Sequence, residues 1–152
     1  MKQIQNFVET TFNNSPAEVF QLVTAPRNWK GLHPVTAEVY GPEEINHSLK
    51  KGGVVIEHII TPGRPAALNA VWLVTAYEEN KLWEITSLYF GGAKSTIKIV
   101  YELTPLPEGK THFKRTMTTY YKSDNIDPHE QKVASGVDIE KTYLENIRKR
   151  LS

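Results

Sequence analysis

Three ionisable residues stand where the surrounding pattern is apolar, and their types are those that do chemistry. Glu140 is third in a stripe spaced by fours and threes whose other members are Val133, Val137, Leu144, Ile147 and Leu151. On a helical wheel it falls about 20° from the centre of that stripe. Arg115 shares strand parity with Phe113, Met117, Thr119 and Tyr121, and His58 with Val54, Ile56 and Ile60. Burying a bare carboxylate is expensive, so Glu140 needs a partner or water. With Arg115 and His58 it makes either an ion pair tying helix to sheet, or a polar head-group site with general acid/base capacity. Such networks are more often structural than catalytic. Arg115 is the better ligand contact, because its guanidinium offers several donors in a fixed fork to a carboxylate, phenolate or ketone oxygen. His58 reads more simply as a satisfied core histidine.

Around these lie the aromatics Trp72, Trp83, Tyr89, Tyr101, Phe113 and Tyr143, which either line a pocket or fill a core. Ile97 and Ile99 share the face of Tyr101, and Met117 that of Arg115. Trp29, Leu32 and His33 read as a brace at the mouth of such a pocket. No GxSxG elbow, GxxxxGK[ST] loop, GxGxxG turn or HExxH pair is present. The five His, at 33, 47, 58, 112 and 129, show no metal-ligand spacing, and without Cys there are no thiolate sites, disulfides or cysteine nucleophiles. No metal and no cofactor are therefore expected. Arg148, Lys149 and Arg150 sit where a helix dipole favours cations, and read as a solvated helix end rather than a nucleic-acid contact.

The elements that must position these residues are legible in the periodicity. Residues 3–12 have strand composition. Ser15-Pro16-Ala17-Glu18 joins an N-cap, a first-turn proline and a capping-box acid, opening a short helix through Val19, Phe20, Leu22 and Val23. A second short helix is expected between Pro26 and Pro34. From Val35 the period becomes two, with Val35, Ala37 and Val39 on one face. A polar loop, 41–52, separates this strand from one at 53–61, and two long strands follow at 68–78 and 81–90. Both are apolar on both faces, so their inward parity stays open. Strands at 96–104 and 111–122 complete the series, and a helix of about six turns is expected from near His129 to Leu151. Five strand-to-strand joins, some of them short, imply an antiparallel meander, and the terminal helix must cover its apolar face.

Length and charge bound the rest. The chain has 152 residues, enough for one domain with its own core, so 1–152 is expected to be a single domain. Eighteen Lys+Arg against seventeen Asp+Glu leave a net charge of +1, which gives no bulk field for nucleic acid. No apolar run approaches the roughly 18 residues of a spanning helix. The amino-terminal MKQIQNFVETTF lacks the apolar core of a signal peptide, so a soluble, cytoplasmic protein without a membrane span is expected.

This layout resembles the START-like, or helix-grip, superfamily (SRPBCC, Bet v 1-like), and within it the polyketide cyclase/dehydrase-like branch. The likeness is carried by Ser15-Pro16-Ala17-Glu18-Val19-Phe20 after the first strand, Pro26-Arg27-Asn28-Trp29, and Pro34-Val35 opening a strand. Tyr101-Glu102-Leu103-Thr104-Pro105-Leu106 before a Gly turn, and the terminal helix, complete it over essentially the whole chain. Cone-shaped domains of the nuclear-transport-factor type begin with a long helix, and lipocalin barrels lack the paired helices, so neither fits as well. The resemblance implies an α+β fold: a seven-stranded antiparallel sheet curved around a long carboxy-terminal helix, with two short helices after the first strand. It also implies a deep cavity between sheet and helix, holding a small hydrophobic, aromatic or lipid-like molecule. The residues expected to touch that molecule are His58, Trp72, Trp83, Tyr89, Ile97, Ile99, Tyr101, Phe113, Arg115, Met117, Glu140 and Tyr143. Two further readings stay open: a polyketide cyclase or aromatase-type enzyme using the same cavity, and a chaperone-activator-like interaction domain using its outer surface. The expected state is a monomer or a homodimer.

Overall fold

The computed structural model describes residues 2–62, 66–91, 95–122 and 138–152. Its strands are β1 (Lys2–Phe12), β2 (Thr36–Tyr40), β3 (Val54–Ile59), β4 (Leu68–Glu78), β5 (Leu82–Phe90), β6 (Ser95–Leu106) and β7 (Lys110–Tyr121). They form a seven-stranded sheet in the order β1-β7-β6-β5-β4-β3-β2, every neighbouring pair antiparallel. Helix α1 (Pro16–Thr24) and a 3₁₀ turn at Pro26–Asn28 follow β1, and helix α2 (Asp138–Leu151) ends the chain. This is the α+β architecture expected. The start anticipated near His129 lies outside the described residues, as do Val133, Gly136 and Val137.

Helix α1 begins as its sequence dictates. Ser15 Oγ accepts the Glu18 backbone N–H at 3.3 Å and donates to Glu18 Oε1 at 3.2 Å. That satisfies an otherwise orphaned donor, a cap of about 1 kcal/mol. Helix α2 buries Glu140, Tyr143, Leu144 and Ile147, spaced by three, one and three, against the sheet. The three hydrophobic side chains each contribute roughly 1.5–3 kcal/mol of burial. Asn146 Nδ2 donates to Leu32 O at 2.8 Å, and Asn14 Nδ2 to Leu151 O at 3.2 Å, so the last two turns of α2 are tied to the body. Arg148 is exposed, as expected of a solvated helix end, and there donates to Thr10 Oγ1 and Thr11 O and lies over the Phe12 ring.

The polar loop 41–52 holds more than a connection. A 3₁₀ turn at Glu43–Asn46 drives Ile45 fully into the core, and Leu49 follows it. The Leu49 carbonyl accepts the indole N–H of Trp83 at 2.8 Å.

Strands β6 and β7 face as their alternation indicates, with Ile97, Ile99, Tyr101 and Leu103 inward, and Phe113 and Arg115 beside them. Three other strands depart from the facing expected, one by its parity and two by a bulge. On β3 the inward set is Val55, Glu57 and Ile59, while Val54, Ile56 and Ile60 are exposed, the reverse of the parity read from sequence. Both parities of this strand are apolar, and Glu57 is held inside by hydrogen bonds from Thr36 and Trp72. On β2 the register skips Ala37, so Thr36 and Val39 both face the core. On β5 the pairing passes from Val71↔Tyr89 to Trp72↔Ser87, which leaves Leu88 as the extra residue of a bulge. Beyond it the facing inverts, so Phe90 points in and Tyr89 points out, 52% exposed.

Candidate functional site

A cavity of about 110 Å³ lies between the inner face of β3–β7, the first turns of α2 and the segment Trp29 to Thr36. A dry apolar cavity of roughly 150 Å³ accepts benzene, so this one is sized for about one ring as it stands. Its apolar wall comes from Ile59, Trp72, Ile85, Phe90, Ile97, Ile99 and Met117. Its polar end is built on Arg115.

Arg115 pairs directly across the sheet with Tyr101. Its Nε donates to Tyr101 Oη at 3.1 Å, and its Nη1 donates to Glu140 Oε2 at 2.5 Å. The guanidinium also lies 5.3 Å from the Tyr101 ring centre and 5.2 Å from that of Tyr143, both within cation–π range. Glu140, in the first turn of α2, receives a second contact at 3.2 Å from His33 Nε2. The other ring nitrogen of His33 accepts the Val35 N–H at 3.4 Å, which assigns the proton to Nε2 and makes it the donor to Glu140. The His33 ring packs on Tyr143 with centroids 4.9 Å apart.

The electrostatics follow from burial and pairing. Burial pushes the Glu140 carboxyl up, but the Arg115 guanidinium and the His33 hydrogen bond outweigh it and hold the pKa at about 2. Burial works against the charge of Arg115, and Glu140 more than restores it, so the cation is fixed. Burial raises the phenol pKa of both Tyr101 and Tyr143, which keeps them protonated as hydrogen-bond donors. Among the described residues, the Thr119 hydroxyl is buried and finds no partner, and the buried Tyr143 hydroxyl meets only the Tyr101 phenol, without the geometry of a full hydrogen bond. Both belong to cavity-lining residues.

Of the twelve residues singled out in the sequence, eight come together on this cavity: Trp72, Ile97, Ile99, Tyr101, Arg115, Met117, Glu140 and Tyr143. Trp83 and Phe113 stand behind it. They pack on Tyr101 with centroids 5.3 Å and 6.1 Å away, and so fix the phenol that Arg115 contacts. His58 lies elsewhere. It projects from the opposite face of β3 and meets Asn69 Oδ1 at 2.8 Å, because the strand presents Glu57 and not His58 to the core. Tyr89 is turned outward by the bulge at Leu88.

Several cavity residues were not among the twelve, and two of them, His33 and Glu57, bear on its polar groups. His33, expected to brace the mouth, occupies the position beside Glu140 anticipated for His58. Glu57 is a second buried carboxylate, 7% exposed, taking Thr36 Oγ1 at 2.5 Å on one oxygen and Trp72 Nε1 at 3.0 Å on the other. No local signal marks it, since an acid between apolar neighbours reads first as the solvent face of a strand.

The sheet that grips a terminal helix across a small cavity defines a helix-grip domain. The chain belongs to the family described as polyketide cyclase / dehydrase and lipid transport, whose model matches residues 5–151. It is 24% identical to the Penitrem biosynthesis cluster 1 protein I of Penicillium ochrochloron over 154 residues, covering 99% of this chain and 98% of that one. Similar solved structures include ginseng major latex-like protein 151 from Panax ginseng, with TM-score 0.72, 13% identity and 97% of each chain covered. Ara h 8.0201 gives a TM-score of 0.69 at 16% identity, covering 99% of this chain and 98% of that one. These structural likenesses establish the fold. Among the described residues, no helix is long and apolar enough to cross a membrane.

Proposed function

We propose that this protein binds one small, mostly apolar molecule in the cavity between sheet and α2. The ligand presents an oxygen to a polar group of the lining, Tyr143 beside the Arg115–Glu140 pair or Thr119 four residues further along β7. The observation that carries this reading is the buried Thr119 hydroxyl without a partner, together with a Tyr143 hydroxyl that meets only the Tyr101 phenol, on a cavity whose wall is mostly apolar. Orphaned buried polar atoms cost about 1–3 kcal/mol each, and a ligand acceptor would relieve that cost. Apolar lining with a few convergent polar groups is the general form of a small-molecule site. The name of the Penicillium relative places that protein in a biosynthesis cluster, which supports a small-molecule ligand here.

A second reading, cyclase-type catalysis in the same space, is favoured by the Tyr143 phenol. Held protonated, with only the Tyr101 phenol beside it, it is able to donate to a carbonyl oxygen as negative charge develops there. Turnover of a poly-β-ketone thioester by the wild type, lost in Tyr143→Phe, would favour catalysis over carriage.

The binding reading is tested by titrating the protein with phenol while following side-chain methyl signals by NMR. Saturable one-to-one shifts at Ile97, Ile99 and Met117 are expected. Saturation without shifts at these three methyls would contradict it.

A further inference from the structure

Among the described residues, two carboxylates face the cavity but only one guanidinium or ammonium does. Glu140 has Arg115, whereas Glu57 holds only neutral donors, the Thr36 hydroxyl and the Trp72 indole N–H. Among the described residues, no Lys, Arg or His lies within ion-pair distance of Glu57. The side chain is more than nine-tenths buried and its residue lines the cavity. The sheet order places β3 four strands from β7, so Glu57 and Arg115 mark different ends of the same space.

We infer that Glu57 selects a ligand carrying a protonated nitrogen, making this a site for small aryl-alkylamines. The inference rests on the binding reading above and names the ligand class. An ionised carboxylate has about four acceptor sites, and the two neutral donors leave capacity for another. A neutral donor from the ligand would add a hydrogen bond but no counter-charge. A protonated nitrogen supplies both, as a charge-assisted bond of about twice the ordinary strength. The surroundings suit the rest of such a molecule. Trp72 and Phe90 line the cavity with their rings 6.0 Å apart, offering an aromatic wall to a ligand ring and a π-face to a cation. Thr36 and Trp72 clamp one oxygen each, so the carboxylate is oriented before any ligand arrives. Buried polar groups satisfied only by the right partner are what makes a site reject close analogues.

The test compares 2-phenylethylamine with 2-phenylethanol, which matches it in shape without the charge, by isothermal titration at pH 7. In the wild type the amine should bind at least tenfold tighter. In Glu57→Gln that ratio should fall to within about twofold, while alcohol binding stays within about twofold of wild type. Equal binding of the two by the wild type, or a preference that survives in folded Glu57→Gln, overturns the inference and leaves the cavity reading intact. Binding of neither compound by the wild type overturns the cavity reading, and this inference with it. Should Glu57→Gln fail to fold, Thr36→Val supplies the decision. It keeps the carboxylate and removes one neutral donor, so the amine preference should rise at least threefold, and an unchanged or smaller preference overturns the inference.

Discussion

Glu140 reaches from the first turn of α2 to Arg115 on β7, and the two meet at 2.5 Å with side chains only 7% and 6% exposed. This contact crosses from helix to sheet at the end of the cavity, so it shapes the site and locks the helix in one act. A buried pair of this kind is costly to break, because either partner left alone is an uncompensated buried charge. It is less costly to replace whole.

Single changes at the pair should therefore hurt more than the double change. Arg115→Met and Glu140→Gln are each expected to lower stability by about 3 kcal/mol. The double variant should recover about 2 kcal/mol of the sum, measured by urea unfolding as a double-mutant cycle. Additive losses would mean that the two residues act separately.

Acid should dissolve the same interaction. The folded Glu140 carboxyl titrates at about 2 against an ordinary value of 4.5, so its stabilisation is complete above the ordinary value and is lost as the pH falls through the folded one. The difference between those two values corresponds to something on the order of 3 kcal/mol across that window. Urea midpoints between pH 5 and pH 2 should fall more steeply in the wild type than in Glu140→Gln. Parallel curves would contradict the assignment.

The cavity hydroxyls should behave in the opposite way. Tyr143→Phe and Thr119→Val remove buried polar atoms, one meeting only the Tyr101 phenol and one with no partner, so each should leave stability within about 0.5 kcal/mol of wild type or raise it. Each should also weaken an oxygen-bearing aromatic ligand such as phenol by about threefold to tenfold, the worth of one hydrogen bond. A clear loss of stability in both would make these hydroxyls structural.

The fold was legible because its periodicities are unambiguous where the chain is simple. β6 and β7 alternate cleanly, and the 133–151 stripe drew Glu140 to the sheet before any contact was known. The pairing of Glu140 with Arg115 was legible for the same reason, since both sit on apolar faces. What stayed hidden traces to three bulges and one ambiguous strand. An extra residue at Ala37, Thr75 or Leu88 inverts facing beyond it, and none carries a glycine or other local sign of doing so. β3 is apolar on both sides, so its acid was read outward and its histidine inward. His33 was hidden differently: it comes from a connecting segment, where no period tells which way a side chain points.

The central claim is that the molecule binds its ligand inside, against the face that carries Ile99 and not Lys98. The direct measurement is an isothermal titration with phenol on wild type, Ile99→Trp and Lys98→Trp. Ile99 is 4% exposed and lines the cavity, so its replacement fills the space, whereas Lys98 points away, its amine 3.8 Å from Glu84. The account predicts saturable one-to-one binding in the wild type and in Lys98→Trp, weakened at least tenfold in Ile99→Trp. Equal binding by all three proteins would contradict it.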